Sequence, residues 1–127
     1  MARVLVIEDN SSNMELVTIM LENAGHAVFT AWDAERGLDL ARTMQPDVIL
    51  MDIHLPGMDG LEATMRLKQD ITTRAIPIIA LTAMAMTGDE ERVRLAGCDS
   101  YISKPLHYKT LWAVIEAWTD KEQPMTE

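Results

Sequence analysis

The chain carries one cysteine, no apolar run long enough to cross a bilayer, and 11 cationic side chains against 20 acidic ones. Each shortage excludes something. The single Cys98 cannot form an internal disulfide, which agrees with a reducing compartment, and its plain reading is a small core residue. No stretch approaches the roughly 20 apolar residues of a membrane span. The opening "MARVLVIEDN" has a short apolar stretch that ends in acids, so it does not read as a secretion signal. A cytoplasmic protein with no membrane association is the expectation. The formal charge of -9 argues against a surface that neutralises phosphates, so DNA is not the expected partner. His26, His54 and His107 are scattered without a zinc spacing. No internal linker, low-complexity segment or added domain is visible.

What is present is an ordinary globular composition, 48% apolar and 24% charged, in 127 residues. A chain of this size buries roughly two-thirds of its unfolded surface, enough for one real core. Short Val- and Ile-rich runs alternate with stretches of helical periodicity, the pattern of βα units around a parallel sheet. Five units are legible. Residues 3–8, "RVLVIE", read as a buried strand, and a helix follows from about residue 11 to 24. Ser12 and Glu15 have the spacing of a capping box, Gly25 is the stop, and Met14, Val17, Met20, Leu21 and Ala24 share one face. Residues 27–32, "AVFTAW", form a second strand; Asp33 caps a helix to Met44 with Ala34, Leu38 and Ala41 inward, and Pro46 ends that unit.

Residues 47–51, "DVILM", are the most continuously apolar strand and therefore the expected centre of a sheet covered on both faces. The turn "PGMDG" leads to a helix from about 59 to 69, and "IPIIAL", 76–81, gives a fourth strand with Pro77 near its start. Thr87 and Glu90 again have capping-box spacing and open a helix that ends near Gly97. "SYIS", 100–103, is the last strand, and a helix from about 107 to 118 carries Leu111, Ile115 and Trp118 as an inward stripe, so the Trp residues read as core. The expected architecture is a three-layer α/β sandwich with right-handed crossovers.

In such sheets ligands bind beyond the carboxyl ends of the strands. The first strand ends in Glu8 and Asp9, the third in Asp52, the fourth in Thr82, and the fifth in Ser103 and Lys104. Only the second delivers no such group, which suits an outer strand beside the first. Taken singly, each of these is explained by a cap or a solvated loop. Together, three negative charges against one positive leave -2 in a small crevice, which a divalent cation would neutralise. Oxygen-only donors favour a hard ion, and Mg²⁺ is the expectation. With an ion in place a carboxylate can act as nucleophile toward a phosphoryl group; Asp52, alone on the central strand, suits that role, and Glu8 and Asp9 suit the ion.

At these residues the chain resembles the receiver domain of bacterial two-component response regulators. The resemblance rests on "VIEDN", "LMDIHLPGMDG", "ALTA" and "YISKP", in order and suitably spaced, and covers residues 3 to 119. It implies a flavodoxin-like fold, a parallel five-stranded sheet of order 2-1-3-4-5, with a receiver domain over 1–119 and a polar tail, frayed in its look, over 120–127. By resemblance Asp52 is the phosphoacceptor, Glu8 and Asp9 the acidic metal pair, and the main-chain carbonyl of His54 the third protein contact to Mg²⁺. Thr82 and the Ala83 amide would bond phosphoryl oxygens, Lys104 would be their cationic partner, and Tyr101 would be the rotating switch aromatic, although strands favour Tyr in any case. A cis bond would precede Pro105. Leu55 stands where many members have Met, and His54 and Met84 occupy variable positions flanking the site. The run "GDEERVRLAGCDSYISKP" is most like single-domain regulators of the DivK type, which govern cell-cycle or developmental decisions.

The resemblance implies a stand-alone protein that takes a phosphoryl group from a histidine kinase or phosphotransfer protein, catalyses much of that reaction itself, and passes the signal to a downstream protein. It also implies a possible homodimer through the fourth helix, fifth strand and fifth helix. Three other readings compete. A phosphorylation-independent binding receiver would not need the intact acid set. A phosphohydrolase with an aspartyl nucleophile wants a second acid where His54 stands. A flavodoxin wants a phosphate loop where Glu8 and Asp9 would repel the phosphate.

Overall fold

A computed structural model describes residues 1–83 and 89–119 of the chain. Five strands and five helices alternate: β1 (Arg3–Ile7), α1 (Ser11–Asn23), β2 (Ala27–Ala31), α2 (Ala34–Met44), β3 (Val48–Asp52), α3 (Gly60–Gln69), β4 (Ile78–Thr82), α4 (Asp89–Ala96), β5 (Ser100–Ser103) and α5 (Tyr108–Thr119). All pairings are parallel and the strand order is β2-β1-β3-β4-β5, so the expected topology holds and the second strand is an outer one.

Strand alternation sorts the core into two layers. Val4, Val6, Val48, Leu50, Ile79 and Leu81 face one way and pack on Met14, Val17 and Leu21 of α1 and Leu111 and Ile115 of α5. Leu5, Ile7, Ile49, Met51, Ile78 and Ala80 face the other way, against α2, α3 and α4. Every residue of β3 and β4 is buried, as their continuous apolar runs require. At roughly 1.5–3 kcal/mol for each large side chain removed from water, these two layers are the main driving force.

Local chemistry ends the helices. Asp33 caps α2 by accepting from Arg36 N–H, and Asp59 caps α3 by accepting from Glu62 N–H. The expected capping box of α1 is not the one used. Asn10 is the cap, its side chain accepting from Asn13 N–H at 2.9 Å, and Ser12 lies inside the helix. Ala24, expected on the inner face of α1, is exposed and acts as the C-terminal cap. Trp118 is partly buried, and Trp112 donates its indole N–H to the Met20 carbonyl at 2.8 Å. Trp32 corrects the core reading of the tryptophans: it follows the outer strand and is 44% exposed. The expected helix start at Thr87, the flanking Met84 and the tail 120–127 lie outside the described residues.

Candidate functional site

The parallel register builds the site. Ile7 pairs with Met51 and Asp52 with Leu81, so Glu8, one residue beyond β1, stands level with Asp52; Thr82, the last residue of β4, pairs with Ser103, one residue before Lys104. Four strands thus deliver their polar ends to one edge. Glu8 is held there by donating its N–H to Ala31 at 3.1 Å, and Lys104 by donating its N–H to the Thr82 carbonyl at 2.7 Å.

The side chains converge. One carboxylate oxygen from each of Glu8, Asp9 and Asp52 lies within 4.8 Å of the others, and among the described residues this is the one such group able to share an ion. Glu8 is fully buried and Asp52 nearly so, while Asp9 is exposed. Lys104 Nζ sits 3.2 Å from Glu8 Oε1 and 3.6 Å from Asp52 Oδ2. The main-chain N–H of His54 donates to Asp52 Oδ1 at 2.9 Å, and that of Asn10 to Glu8 Oε2 at 3.2 Å. The carboxylates are therefore oriented by backbone as well as by the ammonium.

Charge in the pocket is out of balance. Burial, and then the hydrogen bond and negative charge of Asp52, push the Glu8 carboxyl from its ordinary 4.5 up to about 7, against the opposing pull of Lys104 and the Asn10 N–H. One ammonium does not neutralise three carboxylates. An oxygen-only donor set with excess negative charge and an exposed, unburied member in Asp9 is what a hard divalent cation requires.

Thr82 is fully buried at the end of β4, and Ala83 follows it at the surface. The His54 side chain is exposed, and Leu55 is buried in the core. The Lys104–Pro105 peptide is cis, as the resemblance implied. Tyr101 points outward from β5 at 37% exposure and lines a groove of about 370 Å³ with Ser103, Lys104, His107 and Thr110.

The family model of the response regulator receiver domain matches residues 4–116. The chain belongs to this family. It is 50% identical over 103 residues to the polar-differentiation response regulator DivK of Brucella anthropi, covering 81% of this chain and 84% of that one. Among solved structures it is similar to the receiver domain of the sensor histidine kinase PA1611 from Pseudomonas aeruginosa, crystallised with magnesium coordinated in the active-site cleft. That match has a TM-score of 0.88 and 34% identity, over 94% of this chain and 98% of that one. It is also similar to the chemotaxis protein CheY4 of Vibrio cholerae, with a TM-score of 0.87 and 28% identity, over 93% and 98% of the two chains.

This receiver is a phosphorelay signalling domain, and the competing readings lose their support. His54 presents an exposed imidazole where the hydrolase needs an acid, and a buried Glu8 beside Asp9 is the opposite of a flavin phosphate loop. Receivers of this family work with histidine kinases and effector proteins. No helix among the described residues is long and apolar enough to cross a membrane.

Sequence reading missed two contributors. Asn10 both caps α1 and holds Glu8 through its N–H; its signal was a capping residue directly after the acid pair, masked by the capping-box spacing at Ser12. Gly60 comes into backbone contact with β3, and its signal was a glycine directly after the capping Asp59.

Proposed function

We propose that Asp52 is the phosphoacceptor, taking a phosphoryl group from the phosphohistidine of a kinase or phosphotransfer protein. An Asp52 carboxylate oxygen attacks phosphorus, the P–N bond breaks, and the imidazole leaves with the electron pair. Glu8, Asp9, Asp52 and the main-chain carbonyl of His54 would hold Mg²⁺, which when bound supplies neutralising charge for the phosphoryl oxygens. Lys104 places an ammonium between Glu8 and Asp52, where charge spreads during transfer. Thr82 and the Ala83 amide donate to the transferred group.

The single observation that carries this reading is the nearly buried Asp52, oriented by the His54 N–H and standing 3.6 Å from Lys104 within a cluster of three carboxylates. The same residues catalyse loss of the phosphoryl group to water. Phosphorylation draws Thr82 inward, Tyr101 turns into the space left, and the face formed by α4, β5 and α5 changes its affinity for a downstream protein or a second copy. The domain spans 1–119 with 120–127 as a tail, works in the cytoplasm, and by its likeness to DivK serves a cell-cycle or polarity decision.

The test is intact mass after incubation with acetyl phosphate, with and without Mg²⁺, beside Asp52→Asn. A gain of one phosphoryl group only with Mg²⁺ and only with Asp52 is expected. A folded protein that gains nothing under any condition refutes the reading and favours phosphorylation-independent binding.

A further inference from the structure

Gly60 opens α3 without adopting the left-handed backbone that Gly25, Gly57 and Gly97 use. Its lack of a side chain therefore serves space, not conformation. A Cβ at this position would overlap the Asp52 carbonyl oxygen and lie 2.6 Å from Ile53 Cα and 2.9 Å from the Asp52 carbonyl carbon. All three are backbone atoms, so no rotamer change relieves the overlap. Gly37 differs, because a Cβ there meets only the side chain of Ile7.

The contact is held from both sides. Gly60 donates its N–H to the Ile53 carbonyl at 3.3 Å, and the buried Thr64 hydroxyl donates back to the Gly60 carbonyl at 2.8 Å. Ala63 donates its N–H to the Asp59 carbonyl at 3.0 Å, closing the first turn. On the opposite side Ile53 donates its N–H to Leu81 at 3.2 Å. The next N–H along, that of His54, is the donor that orients Asp52 Oδ1.

We infer that Gly60 is a positioning residue, whose missing side chain lets α3 seat directly on the Asp52–Ile53 backbone and so sets the carboxylate's place beside Glu8, Asp9 and Lys104. This rests on Asp52 being the phosphoacceptor. A displaced Asp52–Ile53 peptide carries the His54 N–H with it, and the carboxylate loses the bond that aims it. Misplacement of a reacting group by about 1 Å costs up to about 100-fold in rate.

The experiment compares wild type, Gly60→Ala and Ile115→Ala, the last being a core truncation in the opposite layer that serves as a destabilised reference. Two quantities are read in each: hydrogen exchange of the His54 amide without metal, and the limiting rate and half-saturating concentration of acetyl phosphate with Mg²⁺. In Gly60→Ala the His54 amide exchanges faster and the limiting rate falls by about tenfold or more, while half-saturation changes little. Ile115→Ala loses denaturation midpoint but keeps both. Unchanged His54 exchange and rate in folded Gly60→Ala overturn the inference, as does Ile115→Ala matching it in both. Should Gly60→Ala fail to fold, Thr64→Val keeps the volume and removes the hydroxyl on Gly60; faster His54 exchange then supports the inference and unchanged exchange overturns it. Failure of the wild type to accept phosphoryl would sink the proposed function alone, because the metal-free amide measurement does not depend on it.

Discussion

Replacing Glu8 by Gln should stabilise the metal-free protein above neutral pH and leave it nearly unchanged in acid. Glu8 titrates at its ordinary 4.5 in the unfolded chain and at about 7 in the folded one, because burial and Asp52 disfavour its charged form. Below pH 4.5 both states hold the proton and nothing is lost. Between 4.5 and 7 the folded state holds a proton that the unfolded state has released, so stability falls as pH rises, and above about 7 the loss is complete. The displacement corresponds to a ceiling of about 3 kcal/mol. Gln keeps the size and removes the charge. Urea denaturation in EDTA at pH 5 and pH 8 reads the difference: the gain of Glu8→Gln over wild type should be larger at pH 8 by about 1–3 kcal/mol. Mg²⁺ at pH 8 should then raise the wild type and leave Glu8→Gln behind. Parallel pH profiles for the two proteins would refute the claim that Glu8 is a buried acid held in unbalanced charge.

The other site and core residues give shorter tests. Lys104→Met removes the ammonium between Glu8 and Asp52, so phosphoryl acceptance from acetyl phosphate at saturating Mg²⁺ should slow by about 100-fold, with Mg²⁺ affinity measured by calorimetry undiminished. Thr82→Ala should still become phosphorylated, by intact mass, yet lose phosphorylation-dependent partner binding; binding that survives would exclude the Thr82 switch route. Asp33→Ala removes the N-cap of α2 and should cost about 1 kcal/mol in denaturation with no change in phosphoryl acceptance. Leu50→Ala, in the fully buried centre of β3, should cost about 2–5 kcal/mol in the same assay.

The fold was legible because periodicity and burial agree almost everywhere. The run at 47–51 was apolar on both faces, and β3 is indeed central with helices on each side. Strand ends were less legible for a physical reason. The first strand was expected to run to Glu8 and the fourth to begin at Ile76, yet the first ladder ends at Ile7 and the fourth strand begins at Ile78. Side-chain polarity marks where the chemistry begins, while backbone pairing depends only on the neighbouring strand. Trp32 failed in the opposite direction. An aromatic residue closing an apolar run looks buried, but an outer strand leaves its end open to water, and only the strand order reveals that. The cap of α1 was ambiguous because Asn10, Ser11 and Ser12 can each cap; the helix uses Asn10, whose N–H also serves Glu8.

Along most of the chain each local preference supports the same fold, and the consistency is what makes a short sequence readable. At the carboxyl edge it breaks down: a fully buried Glu8 faces a nearly buried Asp52, with one ammonium between them and a backbone contact too close for any side chain at Gly60. Glu8, buried beside Asp52, opposes the metal-free fold. Two apolar layers and four fully parallel pairings supply the margin that lets such a cluster persist. The residues hardest to justify by packing are therefore the ones to which the proposed function assigns the binding of charge from outside the chain, first a cation and then a phosphoryl group.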